Sequence, residues 1–341
     1  MLCSCGSRTD RTGARRRVTT LNEQLAALLV AEHAFAPATP GFVGATVDRP
    51  GAGRGERIPL RHGFRTEAGA VSGPPSPGLE ACIARMDDDL AAAARLSENP
   101  AASRSSDDPA ASRSSDDPAA GTPARGAVRV ALEAGLDGGG PLGLSRRWAL
   151  AHTLAPVLAA AFANTPGPTG WRSTRLARHR ELPVLRAVRD PRKAWAAYVL
   201  EQPGPRDSLD ALARHVDTVR PPVAARGHLE FDVADAQPGE GWRVVVAVTA
   251  VLLDDPRAAA AAEQITAPLA AEPRLWERAA RDALSDPVLA AVARECFVEA
   301  YGTLARHGVS RDLRDQVAEF AERYVMRGRC PADERLRPVP R

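Results

Sequence analysis

The stretch from Arg226 to Val233 restricts the fold of this chain more than any other, because polar and apolar residues alternate there for four pairs. Successive side chains of a β-strand point to opposite faces of the sheet. The predicted strand therefore has an apolar face of Leu229, Phe231 and Val233, and a polar face of Arg226, His228, Glu230 and Asp232. A row of one cation, one imidazole and two carboxylates is suited to binding a charged substrate or a metal ion. A sheet with one solvated face gives the same alternation, and this alternative stays open.

Other segments predict an α+β fold in which the strands lie in the first two thirds of the chain and helices fill the last third. Strand patterns cover 42–47, 58–60, 70–71 and 128–132. Helical patterns cover 21–35, 78–96, 145–164, 190–200, 208–219 and 242–253, and prolines divide a helical region at 257–327. We expect Ser145 to cap its helix and Pro156 to kink it.

A polar duplication suggests how the chain is divided. The nine residues Pro100–Asp108 are repeated identically as Pro109–Asp117. Such a segment has too few apolar side chains to form a core, so we expect a flexible insert at 98–126. The predicted organisation is a disordered tail at 1–17, one domain at 18–336 that contains the insert, and a second tail at 337–341.

Charge and cysteine usage exclude several classes of protein. The 45 basic residues nearly balance the 42 acidic ones, and no aromatic residues are interleaved with the arginines, so the sequence predicts no nucleic-acid partner. The five cysteines are an odd number, which argues against a disulfide framework and favours the reducing cytoplasm. No continuous apolar segment follows the basic N-terminus, and we therefore expect neither a signal peptide nor a membrane span.

Several phrases of the sequence occur in an order that resembles one enzyme family. They are Ala-Phe-Ala-Asn-Thr-Pro (161–166), Gly-Trp-Arg-Ser-Thr-Arg (170–175), Asp-Pro-Arg (190–192), Pro-Pro-Val (221–223), Asp-Ala-Gln-Pro (235–238) and Arg-Gly-Arg-Cys-Pro-Ala-Asp (327–333). Together they resemble the type 2 glutamate–cysteine ligases, of the kind that starts ergothioneine synthesis in high-GC bacteria. The resemblance is good over residues 145–336 and weak before them.

This resemblance implies a fold related to glutamine synthetase, which is a curved antiparallel sheet with helices on its outer side. It also implies a reaction with three small-molecule partners: glutamate, cysteine and ATP. ATP would phosphorylate the side-chain carboxylate of glutamate, and the amine of cysteine would then displace phosphate to give γ-glutamylcysteine. Mg²⁺ would neutralise the phosphates, with carboxylates as its protein ligands.

The resemblance also assigns roles to particular residues. Arginines are expected to hold phosphoryl and carboxylate groups, ideally in a bidentate fork. The candidates are Glu230 and Arg226 for catalysis, Arg172, Arg175 and His215 for substrate binding, and Asp48, Glu67, Glu230 and Asp232 for the metal.

The sequence departs from the family pattern at positions that carry the chemistry. The first family strand reads Val-Gly-x-Glu-x-Glu, whereas this chain has Val-Gly-Ala-Thr-Val-Asp and keeps only Asp48. A second family strand with two glutamates is represented by Glu67 alone. Asp232 stands where the family has an arginine, which reverses the charge. Because a lost or reversed charge weakens transition-state stabilisation, we expect reduced activity.

Two alternatives follow from these departures. The protein could be a non-catalytic relative that keeps the scaffold and binds a metabolite or a partner protein, or a decayed gene product that folds poorly. Individual candidates also have structural explanations: His215 as a buried or capping histidine, Asp235 as a side chain that caps a turn, and Cys330 as a packed thiol.

Overall fold

A computed structural model of the protein describes residues 21–36, 41–48, 57–66, 69–98, 126–182 and 190–336. The expected tails at 1–17 and 337–341, nearly all of the expected insert, and the candidate metal ligand Glu67 lie outside these residues.

Within the described residues, eight short strands form one sheet in which every pair is antiparallel. The order across the sheet is β2-β3-β4-β1-β6-β8-β7, and β5 pairs with β1 at the side. The strands are β1 Phe42–Asp48, β2 Arg57–Pro59, β3 Phe64–Thr66, β4 Ala70–Ser72, β5 Ser76–Pro77, β6 Ala127–Leu132, β7 Val223–Ala225 and β8 Leu229–Asp235.

Eleven α-helices accompany the sheet in the described part of the chain. They are α1 Glu23–His33, α2 Leu79–Glu98, α3 Leu144–Ala161, α4 Pro191–Glu201, α5 Leu209–Thr218, α6 Gly241–Asp254, α7 Pro256–Thr266, α8 Leu275–Arg281, α9 Pro287–Arg306, α10 Arg311–Arg323 and α11 Ala332–Arg335. None of these described helices combines the length and apolar character that crossing a bilayer needs.

One face of the sheet is apolar and packs against helices. Val43, Ala45 and Val47 of β1 lie on this face, as do Val128, Val130 and Leu132 of β6, and all six belong to the hydrophobic core. Helix α3 contacts β8, α6 contacts β6 and β1, and α2 contacts β1 and β4. The opposite face of the sheet therefore stays available for a site.

Local sequence signals explain where most helices begin. Side-chain oxygens of Asn22, Asp190 and Ser208 accept hydrogen bonds from backbone N–H groups in the first turns of α1, α4 and α5. Such caps satisfy N–H groups that have no partner within the helix. Asp255, Asp286 and Ser310 act in the same way at α7, α9 and α10, and prolines occupy the first positions of α7 and α9.

The expected α+β class and antiparallel sheet are confirmed, and the likeness to glutamine synthetase stays a prediction. Two local expectations were wrong. Ser145 does not cap α3, because the helix already begins at Leu144 with Gly143 as its cap residue. Pro156 lies inside this helix, and the kink expected there stays a prediction. The alternating strand begins at Leu229 rather than at Arg226, because residues 226–228 form the turn between β7 and β8.

The three described cysteines support the interpretation of Cys330 as a packed thiol. Cys82, Cys296 and Cys330 are all buried and free. Burial raises the pKa of Cys82 and Cys296 to about 12. Burial, followed by the neighbouring Asp333 carboxylate, raises the pKa of Cys330 as well. These thiols are therefore protonated at neutral pH and poor nucleophiles.

His152 of α3 is a buried histidine in this core. Its ring lies edge-on to that of Trp148, with the ring centroids 4.5 Å apart, and its Nε2 has no hydrogen-bond partner among the described residues. Burial lowers the pKa of His152 to about 3, because the charged form would lose its hydration. His152 is therefore neutral in the folded protein over the whole range in which an exposed histidine titrates.

This burial predicts a pH-dependent stability. In the unfolded chain His152 binds a proton below about pH 6.5, whereas the folded protein binds it only near pH 3, so the free energy of unfolding falls as the pH drops through this window. One such group contributes about 1.4 kcal/mol per pH unit. We expect His152→Leu to flatten the dependence measured by urea unfolding between pH 6.5 and 4. The same change at the exposed His33 is the control and should leave the slope intact; an unchanged slope in His152→Leu would contradict the prediction.

Candidate functional site

Two hollows lie on the polar face of the sheet. The first, here the Glu230 hollow, has a volume of 400 Å³, and its polar lining consists of Thr46, Ser72, Glu133, Arg226, His228 and Glu230. The second, here the arginine hollow, has a volume of 690 Å³, and its charged and hydroxyl lining consists of Asp48, Arg129, Thr165, Thr174, Arg175, Arg178 and Asp232. Both volumes are in the range of small-molecule sites.

The pairing of the three central strands explains the two hollows. Gly44, Ala131 and Glu230 are direct neighbours across β1, β6 and β8, so two small residues leave space in front of the Glu230 carboxylate. Thr46 and Arg129 form the next row. At the far end of the face, Asp48 of β1 and Arg129 of β6 line the arginine hollow. Polar groups thus come from all three strands.

A β-bulge in β8 changes the expected alternation. Val130 pairs with Phe231 and Val128 pairs with Ala234, so two residues of β8, Asp232 and Val233, lie opposite the single residue Arg129. A bulge of this kind shifts the facing of every later residue of the strand. As a result Ala234 faces the core, and Asp235 is brought to the same face as its partner Ala127.

Asp235 anchors the loop that forms a wall of the arginine hollow. Its carboxylate is fully buried and accepts four hydrogen bonds. The donors are the backbone N–H of Asn164 at 2.8 Å, Thr165 Oγ1 at 2.9 Å, Ser173 Oγ at 3.1 Å and Arg175 Nε at 2.8 Å. The expectation that Asp235 caps its own turn is therefore wrong, since every one of these donors belongs to the preceding loop.

Arg175 is held between two carboxylates. Its Nη1 donates to Asp232 Oδ1 at 2.6 Å, and its Nε donates to Asp235. Burial alone would lower the pKa of Arg175, but the two carboxylates outweigh it and raise the pKa above the ordinary value. The charge of Asp232, which the sequence suggested would be unfavourable, is therefore neutralised by a cation from the facing loop.

Asp48 and Glu230 are also close to arginines. Arg129 binds Asp48 through a two-pronged contact, with distances of 2.6 Å from Nη2 to Oδ1 and 3.4 Å from Nη1 to Oδ2. Glu230 Oε1 lies 3.7 Å from Arg226 Nε and 3.8 Å from Arg220 Nη1. The Arg226 guanidinium also donates to the carbonyl oxygens of Val216 and Val219, so it ties the β7–β8 turn to α5.

Two of the predicted substrate-binding residues line neither hollow. Arg172 donates to Asp333 Oδ1 at 3.1 Å and to Ser285 Oγ at 3.0 Å, which joins its loop to the C-terminal part of the chain. His215 is buried, and its Nε2 lies 2.9 Å from the carbonyl oxygen of Val199. These contacts favour the structural explanation, and a role in substrate binding stays a prediction for both residues.

The carboxylates do not form an obvious metal site. No three His, Cys, Asp or Glu side chains among the described residues come together so that they could hold an ion. Asp48 lies four residues along β1 from the row that contains Glu230, and two strands away, so their backbones are about 16 Å apart. These two residues cannot share one Mg²⁺, which binds oxygens at about 2 Å. In their present pairing with arginines, the described carboxylates do not fit a magnesium site.

Residues that the sequence did not single out complete the arginine hollow. Arg129 pairs with Asp48. Arg178 lies on a short 3-10 helix, Leu176–His179, which begins directly after Arg175. Arg178 Nε donates to His179 Nε2 at 2.8 Å. The only sequence signal for Arg178 and His179 is the concentration of arginine and histidine between residues 172 and 180.

The buried network predicts that Asp235 is essential for stability. Asp235→Asn removes the charge and places N–H donors against donors, so we expect a loss of about 3 kcal/mol in the free energy of unfolding. The control is Asp315→Asn in α10, where the exposed pair with Arg311 should contribute less than about 1 kcal/mol. Chemical denaturation of both variants is the measurement, and equal small losses would contradict the assigned role.

Comparison with known proteins identifies the family. The sequence model of the family named glutamate–cysteine ligase family 2 (GCS2) matches residues 127–338, which is more than half of the chain. The glutamate–cysteine ligase EgtA of Mycobacterium tuberculosis (strain H37Rv) is 31% identical over 247 residues, covering 60% of this chain and 55% of the relative, so the match spans about half of that relative. EgtA of Mycolicibacterium smegmatis is 30% identical over 345 residues, covering 84% of this chain and 79% of the relative. The resemblance inferred from the sequence phrases is thereby confirmed, and the chain belongs to glutamate–cysteine ligase family 2.

Proposed function

We propose that this protein is an ATP-dependent ligase that joins the side-chain carboxyl group of glutamate to the amine of cysteine, as a step of ergothioneine synthesis. The observation that carries the proposal is the family match over 127–338, since this region supplies nearly all the charged groups of both hollows. The two relatives named glutamate–cysteine ligase EgtA support the same reaction.

The reaction has two steps in this proposal. A carboxylate oxygen of glutamate attacks the γ-phosphorus of ATP, and ADP leaves with the electron pair of the broken P–O bond. The neutral amine of cysteine then attacks the carbonyl carbon of the resulting acyl phosphate, and inorganic phosphate leaves. Both steps develop negative charge on oxygen, which guanidinium groups stabilise when they are held in place before the reaction.

The two hollows suit different parts of these substrates. The arginine hollow carries three guanidinium groups and is suited to anionic oxygens of a phosphoryl or carboxylate group. The Glu230 hollow carries carboxylates and an imidazole and is suited to the ammonium group of an amino acid. Glu230 would hold this ammonium group and accept its proton, and Arg226 would orient the Glu230 carboxylate.

Mg²⁺ remains a prediction from the family resemblance. Since the described carboxylates do not fit a magnesium site, no step of the proposal depends on a metal ion at Asp48, Asp232 or Glu230. ATP is proposed as a substrate on the same family grounds.

A second candidate function is a non-catalytic relative that binds an anionic metabolite. One observation favours it: Asp48, Asp232 and Glu230 each lie within ion-pair distance of an arginine, so the carboxylates that a metal-assisted ligase would use are already engaged. Such a protein would bind a small molecule on the polar face without turnover.

An activity measurement distinguishes the two functions. We expect the purified protein to release ADP and γ-glutamylcysteine from glutamate, cysteine and ATP, detected by chromatography. Glu230→Gln should lower the rate about 100-fold or more, because it removes a proton acceptor.

The control for this measurement is Glu201→Gln, an exposed residue at the end of α4 that lines neither hollow, and its rate should equal that of the unchanged protein. If the unchanged protein forms no more γ-glutamylcysteine than Glu230→Gln does, the ligase function is excluded and the metabolite-binding function remains.

A further inference from the structure

Arg178 differs from the other two arginines of the arginine hollow in its exposure. Its side chain is 52% exposed, compared with 25% for Arg129 and 8% for Arg175. It belongs to the Leu176–His179 turn, directly after the loop that Asp235 anchors. Arg178 is therefore the guanidinium of this hollow that a ligand can reach most easily.

The ion pairs of the hollow leave Arg178 as its least engaged cation among the described residues. Arg129 is paired with Asp48 at 2.6 Å, and Arg175 is paired with Asp232 and Asp235 at 2.6 and 2.8 Å. Arg178 Nη2, in contrast, lies 3.7 Å from Asp232 Oδ2, and that carboxylate already receives the shorter contact from Arg175. A separation of 3.7 Å is too long for a hydrogen bond, so the N–H groups on Nη of Arg178 can donate to a ligand.

His179 fixes the direction of this guanidinium. The Nε–H of Arg178 donates to His179 Nε2 at 2.8 Å, and since arginine is always a donor, this ring nitrogen carries no proton. Burial and the positive charge of Arg178 lower the pKa of His179 to about 4, so the imidazole remains an acceptor at neutral pH. With Nε engaged outside the hollow, the two Nη groups remain for the ligand.

We propose that Arg178, oriented by His179, binds an anionic oxygen group of the ligand in the arginine hollow. The group is a phosphoryl or carboxylate oxygen, because both match the paired N–H donors of a guanidinium. Arg178 is a binding residue in direct contact with the ligand, and His179 is a positioning residue. This inference deepens the proposed function, since it takes the arginine hollow as the substrate site.

The test is a calorimetric titration that needs no turnover. Two probes are used in the presence of EDTA: inorganic tripolyphosphate as the phosphoryl source and L-glutamate as the carboxylate source. We expect one of them to bind, and Arg178→Gln to weaken its binding at least tenfold, as the loss of a charge-assisted hydrogen bond does. The probe that loses affinity identifies the group that Arg178 contacts.

Arg180→Gln provides a matched control. Arg180 is two residues away, its side chain is also 52% exposed, and it pairs with Glu181 rather than lining the hollow. This variant should bind within about twofold of the unchanged protein. Because both side chains are exposed and only two residues apart, a general loss of positive charge or a folding defect would affect the two variants equally.

Two further variants test the role of His179. Arg178→Lys keeps the charge but lacks the Nε–H donor, and His179→Leu removes the acceptor. Both should bind the probe more weakly than the unchanged protein and more tightly than Arg178→Gln. The proposal is overturned if Arg178→Gln binds the probe as tightly as Arg180→Gln does. It is also overturned if the unchanged protein binds neither probe.

The outcome is separable from that of the ligase assay. If no γ-glutamylcysteine forms but Arg178→Gln still weakens binding, the ligase proposal fails and the role of Arg178 stands. If product forms while Arg178→Gln binds both probes normally, the ligase proposal stands and the role of Arg178 fails.

Discussion

The buried carboxylate of Asp235 is the interaction on which the candidate site depends. It lies at the end of β8 and accepts hydrogen bonds from a backbone amide, two hydroxyl groups and one guanidinium of a loop that precedes it by 60 to 71 residues. A buried carboxylate is unfavourable unless its oxygens are satisfied, so the loop has one low-energy arrangement. That arrangement places Arg175 beside Asp232 and leaves Arg178 at the opening of the hollow.

Much of the fold could be predicted because it follows from local patterns. Alternation in β1, β6 and the first half of β8 was visible in the sequence, and so were the helical patterns at 21–35, 190–200 and 208–219 that became α1, α4 and α5. The three-residue strands β3 and β7 escaped prediction, since so few residues give no periodicity. The early start of α3 also escaped it, because Gly143 supplies no side-chain cap.

The site was less predictable because its contacts join distant parts of the chain. The sequence identified Asp48, Arg175, Glu230 and Asp232, and the structure places all four on one face of the sheet or directly above it. It did not reveal that each carboxylate has an arginine partner, since Asp48 and Arg129 are 81 residues apart and Arg175 and Asp232 are 57 apart. Only the strand register brings these charges together, and a single sequence contains no direct signal for it.

The bulge in β8 decides which side chains at the end of the strand face the polar side of the sheet. Upstream of Val233 the strand presents Glu230 and Asp232 to the polar face, and downstream of it the facing is inverted so that Asp235 also reaches that side. If the residues of β8 paired one for one with those of β6, without the bulge, the Asp235 carboxylate would turn toward the apolar helix layer, although the sequence of the strand would be unchanged. A relative with one residue fewer within 231–234 would pair without a bulge and would still present its counterpart of Asp235 to the polar face.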